Sequence, residues 1–348
     1  MPPGAGSLIG GLGYLAVGPE TTFKTYGTCT AGLPFLSCSL KTTQENKIIE
    51  QIDRSRVYSA KTQTTRRVEG EFEFHPCVES TALVYLLQNA FGGTITSATA
   101  TGDTAGAATY EHTFNIGNFD QARPSVCLNQ RKGDSLTGKV FQYNGVRVNE
   151  FMFSAELDEA LRANVGVIGV DSTVTSNDVA SALTTSSFEP LSFVSGRVSI
   201  ENSLASLTSS SFWHVQSIEL GLNNALKNDE VAGRIGSEVL DVLPPGMVAF
   251  TFNMTMRYDT QTAFDAMKAG TLLAGQFEFL GSTMTGSSLK KSIKLTMPRI
   301  FVVDAGDPEI GGPDEVLTSQ VTCQILLDDS SATGYAMRAV IRNQVASY

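Results

Sequence analysis

The sequence predicts a mainly β protein built from two tandem antiparallel β-sandwich or barrel domains, each flanked by one α-helix. Three observations lead there: a duplication about 180 residues apart, period-two alternation of apolar and polar residues along most of the chain, and scarce helical periodicity. Gly13-Tyr14-Leu15-Ala16-Val17 is answered by Gly196-Arg197-Val198-Ser199-Ile200, and Pro34 to Leu40 by His214 to Leu220. Val68 to Phe74 has its counterpart in Phe250 to Met256. A short helix follows each, with Thr81-Ala82-Leu83 in one copy and Thr262-Ala263-Phe264 in the other. Two copies so far apart read as two domains of one fold, not as a repeat array.

In order along the chain, residues 1–12 are rich in Gly and Pro and read as a flexible arm, and 13–175 form domain 1. The Ser- and Thr-rich stretch 171–195 marks the junction, giving a linker at 176–195 and domain 2 at 196–348. Long polar loops are expected from Lys41 to Arg67 and from Asn224 to Gly246, and an exposed low-complexity loop from Thr94 to Ala108. Lys139 to Tyr143 and Val146 to Phe151 flank Asn144-Gly145, whose positive φ preference predicts a type I′ hairpin. Lys291 to Thr296 and Arg299 to Val303 repeat the arrangement. A Gly- and Pro-containing loop from Asp304 to Asp314 follows, then closing strands near Thr318 to Leu327 and Tyr335 to Arg342. The helices are predicted from Val78 to Ala90, ended by Gly92-Gly93, and from Asp259 (N-cap) to Ala269, ended by Gly270. Their apolar stripes are Ala82, Leu83, Leu86 and Ala90 in one, and Ala263, Phe264 and Met267 in the other.

At 348 residues the chain has room for two cores of ordinary size. The net charge of -10 argues against a surface that wraps nucleic acid, which needs clustered Lys and Arg. Cys29, Cys38, Cys77, Cys127 and Cys323 are odd in number and show no CxxC spacing, so they read as free thiols of a reducing compartment with no structural disulfide. Met1 to Gly6 lacks the basic start and apolar run of a signal peptide, and Val165 to Val170 is far shorter than the about 20 residues a helical membrane span needs. A soluble protein with no membrane segment is expected.

No catalytic constellation stands out. His75, His112 and His214 lie in or beside predicted strands and read as strand or rim histidines. His75-Pro76-Cys77 has no second pair to complete a zinc site, and Asp304, Asp307 and Glu309 fit no calcium loop, so no metal and no cofactor are expected. Nucleophile elbow, Walker loop and dinucleotide fingerprint are all missing from the sequence. The Gly10-Gly11-Leu12-Gly13 cluster precedes a strand, which suits flexibility rather than phosphate binding. An enzyme is not expected.

Strand chemistry remains. In Val68 to Phe74, Glu69, Glu71 and Glu73 share one face, opposite Val68, Phe72 and Phe74. Thr251, Asn253 and Thr255 hold the matching polar face of the second copy, opposite Phe250, Phe252, Met254 and Met256. Such faces suit either an ordinary solvated sheet or a surface with a task.

The chain resembles the tail tube (major tail) proteins of long-tailed bacteriophages. The carrying features are the opening strand with Gly18-Pro19-Glu20-Thr21-Thr22-Phe23, the Ser37-Cys38-Ser39-Leu40 strand, and Glu71-Phe72-Glu73-Phe74 running into the helix that ends Leu86-Leu87-Gln88-Asn89-Ala90-Phe91-Gly92-Gly93. Ile218 to Asn224 and Leu243-Pro244-Pro245-Gly246 match in the second copy. The resemblance implies a structural virion protein, made in the host cytoplasm, forming stacked rings around a channel for transient, non-specific passage of DNA. Tape measure and tail terminator proteins are implied as partners. Many members carry one copy and build six-subunit rings; with two copies per chain, three chains make a pseudo-six-fold ring, the alternative being a hexamer with one domain outside. A distal-tail or baseplate hub ring, or more distantly a β-sandwich adhesin or glycan-binding module, are the other readings.

Two site assignments follow. Glu69, Glu71, Glu73, Thr251, Asn253 and Thr255 are expected to face the channel, where acids repel phosphate and let DNA slide. Glu156 and Asp158 offer a rival lining. Glu45, Lys47, Glu50, Asp53, Arg54 and Arg56 in the first long loop, with Asp229, Glu230 and Arg234 in the second, are expected to make ring-to-ring contacts.

Overall fold

Alternation along the chain becomes a strand-dominated architecture with, among the described residues, two α-helices. The computed structural model describes all residues except 1–12, 51–56, 59, 104–107, 117–123, 134–138, 177, 186–187, 208–212, 230, 259–260, 307–315 and 330–333. The expected arm, Asp53, Arg54, Arg56, Glu230, the N-cap Asp259 and most of the 304–314 loop therefore lie outside the described residues.

The first half contributes β1 (Tyr14–Pro19), β2 (Ala31–Leu33), β3 (Ser37–Cys38), β4 (Lys41–Ile49), β5 (Ala60–Phe74), α1 (Thr81–Phe91), β6 (Thr96–Thr99), β7 (Tyr110–Asn115), β8 (Val126–Lys132), β9 (Lys139–Glu156), β10 (Arg162–Gly169) and β11 (Asp171–Thr175). The second contributes β12 (Gly196–Glu201), β13 (Val215–Asn223), β14 (Ala249–Arg257), α2 (Thr262–Ala269), β15 (Leu272–Thr283), β16 (Lys290–Ala305), β17 (Thr318–Leu326) and β18 (Arg338–Asn343).

The antiparallel ladders follow one order in each half. In the first, β1 pairs with β8, β8 with β9, β9 with β11 and β10, and β5 with β10 and β3. In the second, β12 pairs with β15, β15 with β16, β16 with β18 and β17, and β14 with β17 and β13. An irregularity recurs too: the β10 ladder skips Asn149, between Val148 and Glu150, and the β17 ladder skips Val303, between Val302 and Asp304.

The halves meet edge to edge. Strand β9 pairs with β13 from Glu156 opposite Ser217 to Glu150 opposite Asn223, so β5, β10, β9, β13, β14 and β17 run as consecutive strands. Their inward residues, among them Phe72, Val165, Phe153, Leu220, Phe252 and Val321, share one hydrophobic core. Helix α1 packs into that core through Leu83, Leu86 and Leu87, and its N-cap Ser80 accepts the Leu83 amide at 3.4 Å. A second link pairs β18 with β7.

Four expectations change. The hairpin predicted at Asn144-Gly145 is instead the middle of the single strand β9. Gly145 does take a positive φ, 61°, but this serves a bulge: β8 pairs Val126 with Val146 and Leu128 with Tyr143. The Gly145 amide donates to Glu20 Oε1 (2.7 Å), and the Asn144 carbonyl accepts from Val170 (3.1 Å). Its counterpart in the second half is likewise one strand, β16, with Pro298 at the point where the β15 register shifts, a place that lacks need of an amide. The expected loop from Lys41 to Arg67 is largely the long hairpin of β4 and β5. Residues 96–99 and 171–175, expected in loops, form β6 and β11.

Within 176–195, the Thr184 carbonyl accepts the Gly32 amide (3.0 Å), and Leu191 is buried with its carbonyl accepting from Leu161 (2.7 Å).

Candidate functional site: the polar sheet face and its open edges

Because side chains alternate across a strand, burial of the core residues fixes what the opposite face must show. Glu69, Glu71 and Glu73 all lie on that opposite face of β5, while Val68, Phe72 and Phe74 are fully buried. Thr251, Asn253 and Thr255 lie on the same face of the same sheet, four strands away. The structure thus brings both sequence-derived sets onto one continuous surface. Glu156 joins them from the end of β9, whereas Asp158 lies beyond the strand in a left-handed turn with φ 64°.

The face carries more acid than the sequence reading named. Glu150 on β9 and Glu219 on β13 stand between the two sets, and both were legible as alternating polar positions. Four of these carboxylates are met by a neighbouring amide. Asn164 donates to Glu71 (3.4 Å), Asn223 to Glu150 (2.6 Å), Asn253 to Glu219 (3.1 Å), and Asn228 to Glu69 (2.8 Å). Neutral donors orient the acids without cancelling their charge. Two cations stand beside these acids: Arg162 lies 3.4 Å from Glu73 and 2.8 Å from Glu159, and Arg67 lies 2.6 Å from Glu69.

The sheet ends in strands with one partner. Among the described residues, β3 and β4 form ladders with β5 alone, and residues 302–305 of β16 form a ladder with β17 alone. The Ala305 amide donates to Met267 Sδ (3.3 Å), a weak acceptor. Unpaired backbone along an edge is a template for another strand.

The predicted contact loops are brought together as well. The β4–β5 hairpin leaves Ile48, Ile49, Val57 and Tyr58 exposed near its tip. Lys47 and Glu45 lie on β4 and Glu50 follows it. The 224–246 segment runs along the hairpin base, where the Arg66 amide donates to Glu238 O (2.8 Å), and Leu226, Leu240 and Leu243 pack against Ile168 and Val170. Thr43, Lys47, Arg67, Asn228 and Asp229 line a cleft between the two. Arg234 is exposed, 3.8 Å from Asp241, which also pairs with Lys24 at 2.8 Å.

Of the histidines, His112 is buried and bonded to Ser97 Oγ (2.8 Å) and Val345 O (2.9 Å), while His75 Nδ1 meets Leu161 O (3.0 Å). Both serve the fold. Among the described residues no group of His, Cys, Asp and Glu is arranged to hold a metal ion, and no helix is long and apolar enough to cross a membrane.

A sheet with one polar face and open margins defines the class: a β protein whose strand edges can pair with a further strand. The chain belongs to the phage tail tube protein family, whose model matches residues 10–325. It is a component of the virion tail, and its family self-assembles into a tube. No curated protein matches the chain.

Proposed function

We propose that the chain is a tandem pair of tube modules, that three chains close a pseudo-six-fold ring, and that stacked rings form the channel through which DNA leaves the virion. The observation that carries this reading is the β9–β13 seam, a lateral strand junction between two halves with the same ladder order. Equating the two skipped residues, Asn149 and Val303, makes Glu150 equivalent to Asp304. Equating the ladders on β5 and β14 makes Ser37 equivalent to Ser217 and Thr43 to Asn223. The seam between chains then sets Asp304 opposite Thr43 and Gly306 opposite Lys41 of the next copy, with Lys41 and Asp304 diagonal neighbours of opposite charge.

In this ring the acidic face lines the channel. Like charge keeps phosphate at a distance, so DNA is not held. The hairpin tip and the 224–246 segment make the contacts between rings, the chain is made in the host cytoplasm, and tape measure and terminator proteins bound the tube. Its role is structural rather than enzymatic.

Native mass spectrometry with electron microscopy of the purified protein tests the reading, with three-chain rings and tubes expected. Lys41→Glu should reduce ring formation at least tenfold and Asp304→Lys should restore it in the double variant. Six-chain rings, or a monomer under all assembly conditions, would overturn it.

A further inference from the structure

We propose that Cys29 and Cys127 form an intrachain disulfide once the protein meets an oxidant, a covalent staple apart from the polar face and the open edges. Although 98 positions separate them, their Sγ atoms lie 2.7 Å apart, well inside the contact distance of two non-bonded sulfurs. A covalent S–S bond is shorter by only about 0.65 Å.

The backbone builds this approach. Cys127 on β8 is opposite Gly18 on β1. A Cβ at Gly18 would stand 2.2 Å from Thr28 O and 2.9 Å from Cys29 Cα, so glycine alone lets the returning segment lie on β1 and carry Cys29 to Cys127. Both thiols are buried in a small apolar cluster with Tyr14 and Ala16, roofed by Tyr26 and Leu183. The Cys29–Cys127 hydrogen bond raises the Cys29 thiol, with burial adding to it, and holds Cys127 below the usual thiol range. Cys127 is therefore the first nucleophile.

With oxidised glutathione, the Cys127 thiolate attacks one sulfur and expels one glutathione thiolate. Cys29 loses its proton to water and attacks Cys127 Sγ, and the mixed disulfide breaks to release the second glutathione. Two electrons pass from the pair to the oxidant, which leaves as two thiols. The roof must open locally first, so the reaction is slow. A reducing compartment keeps the pair open during folding, and an extracellular virion meets oxidising conditions.

The test is oxidation of the full chain with glutathione disulfide, alkylation in denaturant, and intact-mass and peptide analysis. Expected are two fewer adducts than the five of the reduced chain, a cross-linked peptide pair joining Cys29 to Cys127, and a thermal midpoint about 5 °C or more higher. Cys323→Ser should still lose two adducts, whereas Cys29→Ser should lose one at most and carry in its place a glutathione held on Cys127. Five adducts after oxidation, or a cross-link that maps to another pair, would overturn the proposal. The wild-type peptide map needs no variant to fold, and a mapped disulfide would stand even if no ring formed.

Discussion

The two halves follow the same ladder order yet use their helices differently. Helix α1 has 11 residues and buries Leu83, Val84, Leu86, Leu87 and Phe91, whereas α2 has 8 and buries only Ala263 and Ala266. Asn89 also clamps α1 to β9: its Oδ1 accepts the Val148 amide (2.6 Å) and its Nδ2 donates to Val146 O (3.3 Å). From the second half, Asn224 Nδ2 donates to Ala90 O (2.9 Å) and Val148 O (3.0 Å), tying the seam to the helix end. The ladder is thus the common frame, and the first helix holds the centre of the shared core.

The strongest way to break that contrast is truncation. Leu86→Ala should cost about 2–5 kcal/mol, because a fully buried leucine leaves a cavity that close-packed neighbours fill only in part. Met267→Ala on the partly buried face of α2 should cost less than about half as much. Urea unfolding compares them, and equal losses would mean that α2 is as central as α1.

The alternation of Val68, Phe72 and Phe74 with Glu69, Glu71 and Glu73 put those acids on the face opposite the core, because burial on one face dictates the other. The seam was not legible, since nothing local in β9 names β13 as its partner. Asn144-Gly145 misled for a related reason: the dipeptide specifies a positive φ, and only the surrounding ladders decide between a turn and a bulge. Lys41 to Ile49 read as loop because β4 is polar and exposed along much of its length and so carries little hydrophobic signal.

The two pivots sharpen the comparison at smaller amplitude. At Gly145, a Cβ would combine φ 61° with a 2.7 Å approach to Val170 Cγ2, so Gly145→Ala should cost about 1–3 kcal/mol. The second half turns at Pro298 instead, where alanine accepts the same backbone, and Pro298→Ala should stay within about 1 kcal/mol. Thermal unfolding checks both; a larger loss at Pro298 would show that the proline actively sets that strand's path.

The smallest effects are electrostatic and of opposite sign. Burial raises the Glu20 carboxyl, more than the Ser125 hydroxyl and Gly145 amide lower it. Burial also opposes ionisation of Glu189, but the Ser282 amide (2.5 Å) and the Lys291 ammonium (3.1 Å) outweigh it and hold the group below the usual carboxylate range. Lys291 lies 3.0 Å from Glu79 as well, so this cluster joins the start of α1, the 176–195 segment and β16. A lowered folded value gives stability that is present above the unfolded value of about 4.3 and lost as pH falls through the folded one. A raised value does the reverse: its contribution is present below the unfolded value and lost as pH rises through the folded one. Glu189→Gln should therefore flatten the acid limb of the stability curve below about pH 4.5 and Glu20→Gln should steepen the limb above it, each by less than about 1 kcal/mol after solvent screening. Midpoints of thermal unfolding from pH 3 to 7 measure this, and a shift of the same sign in both variants would remove the contrast.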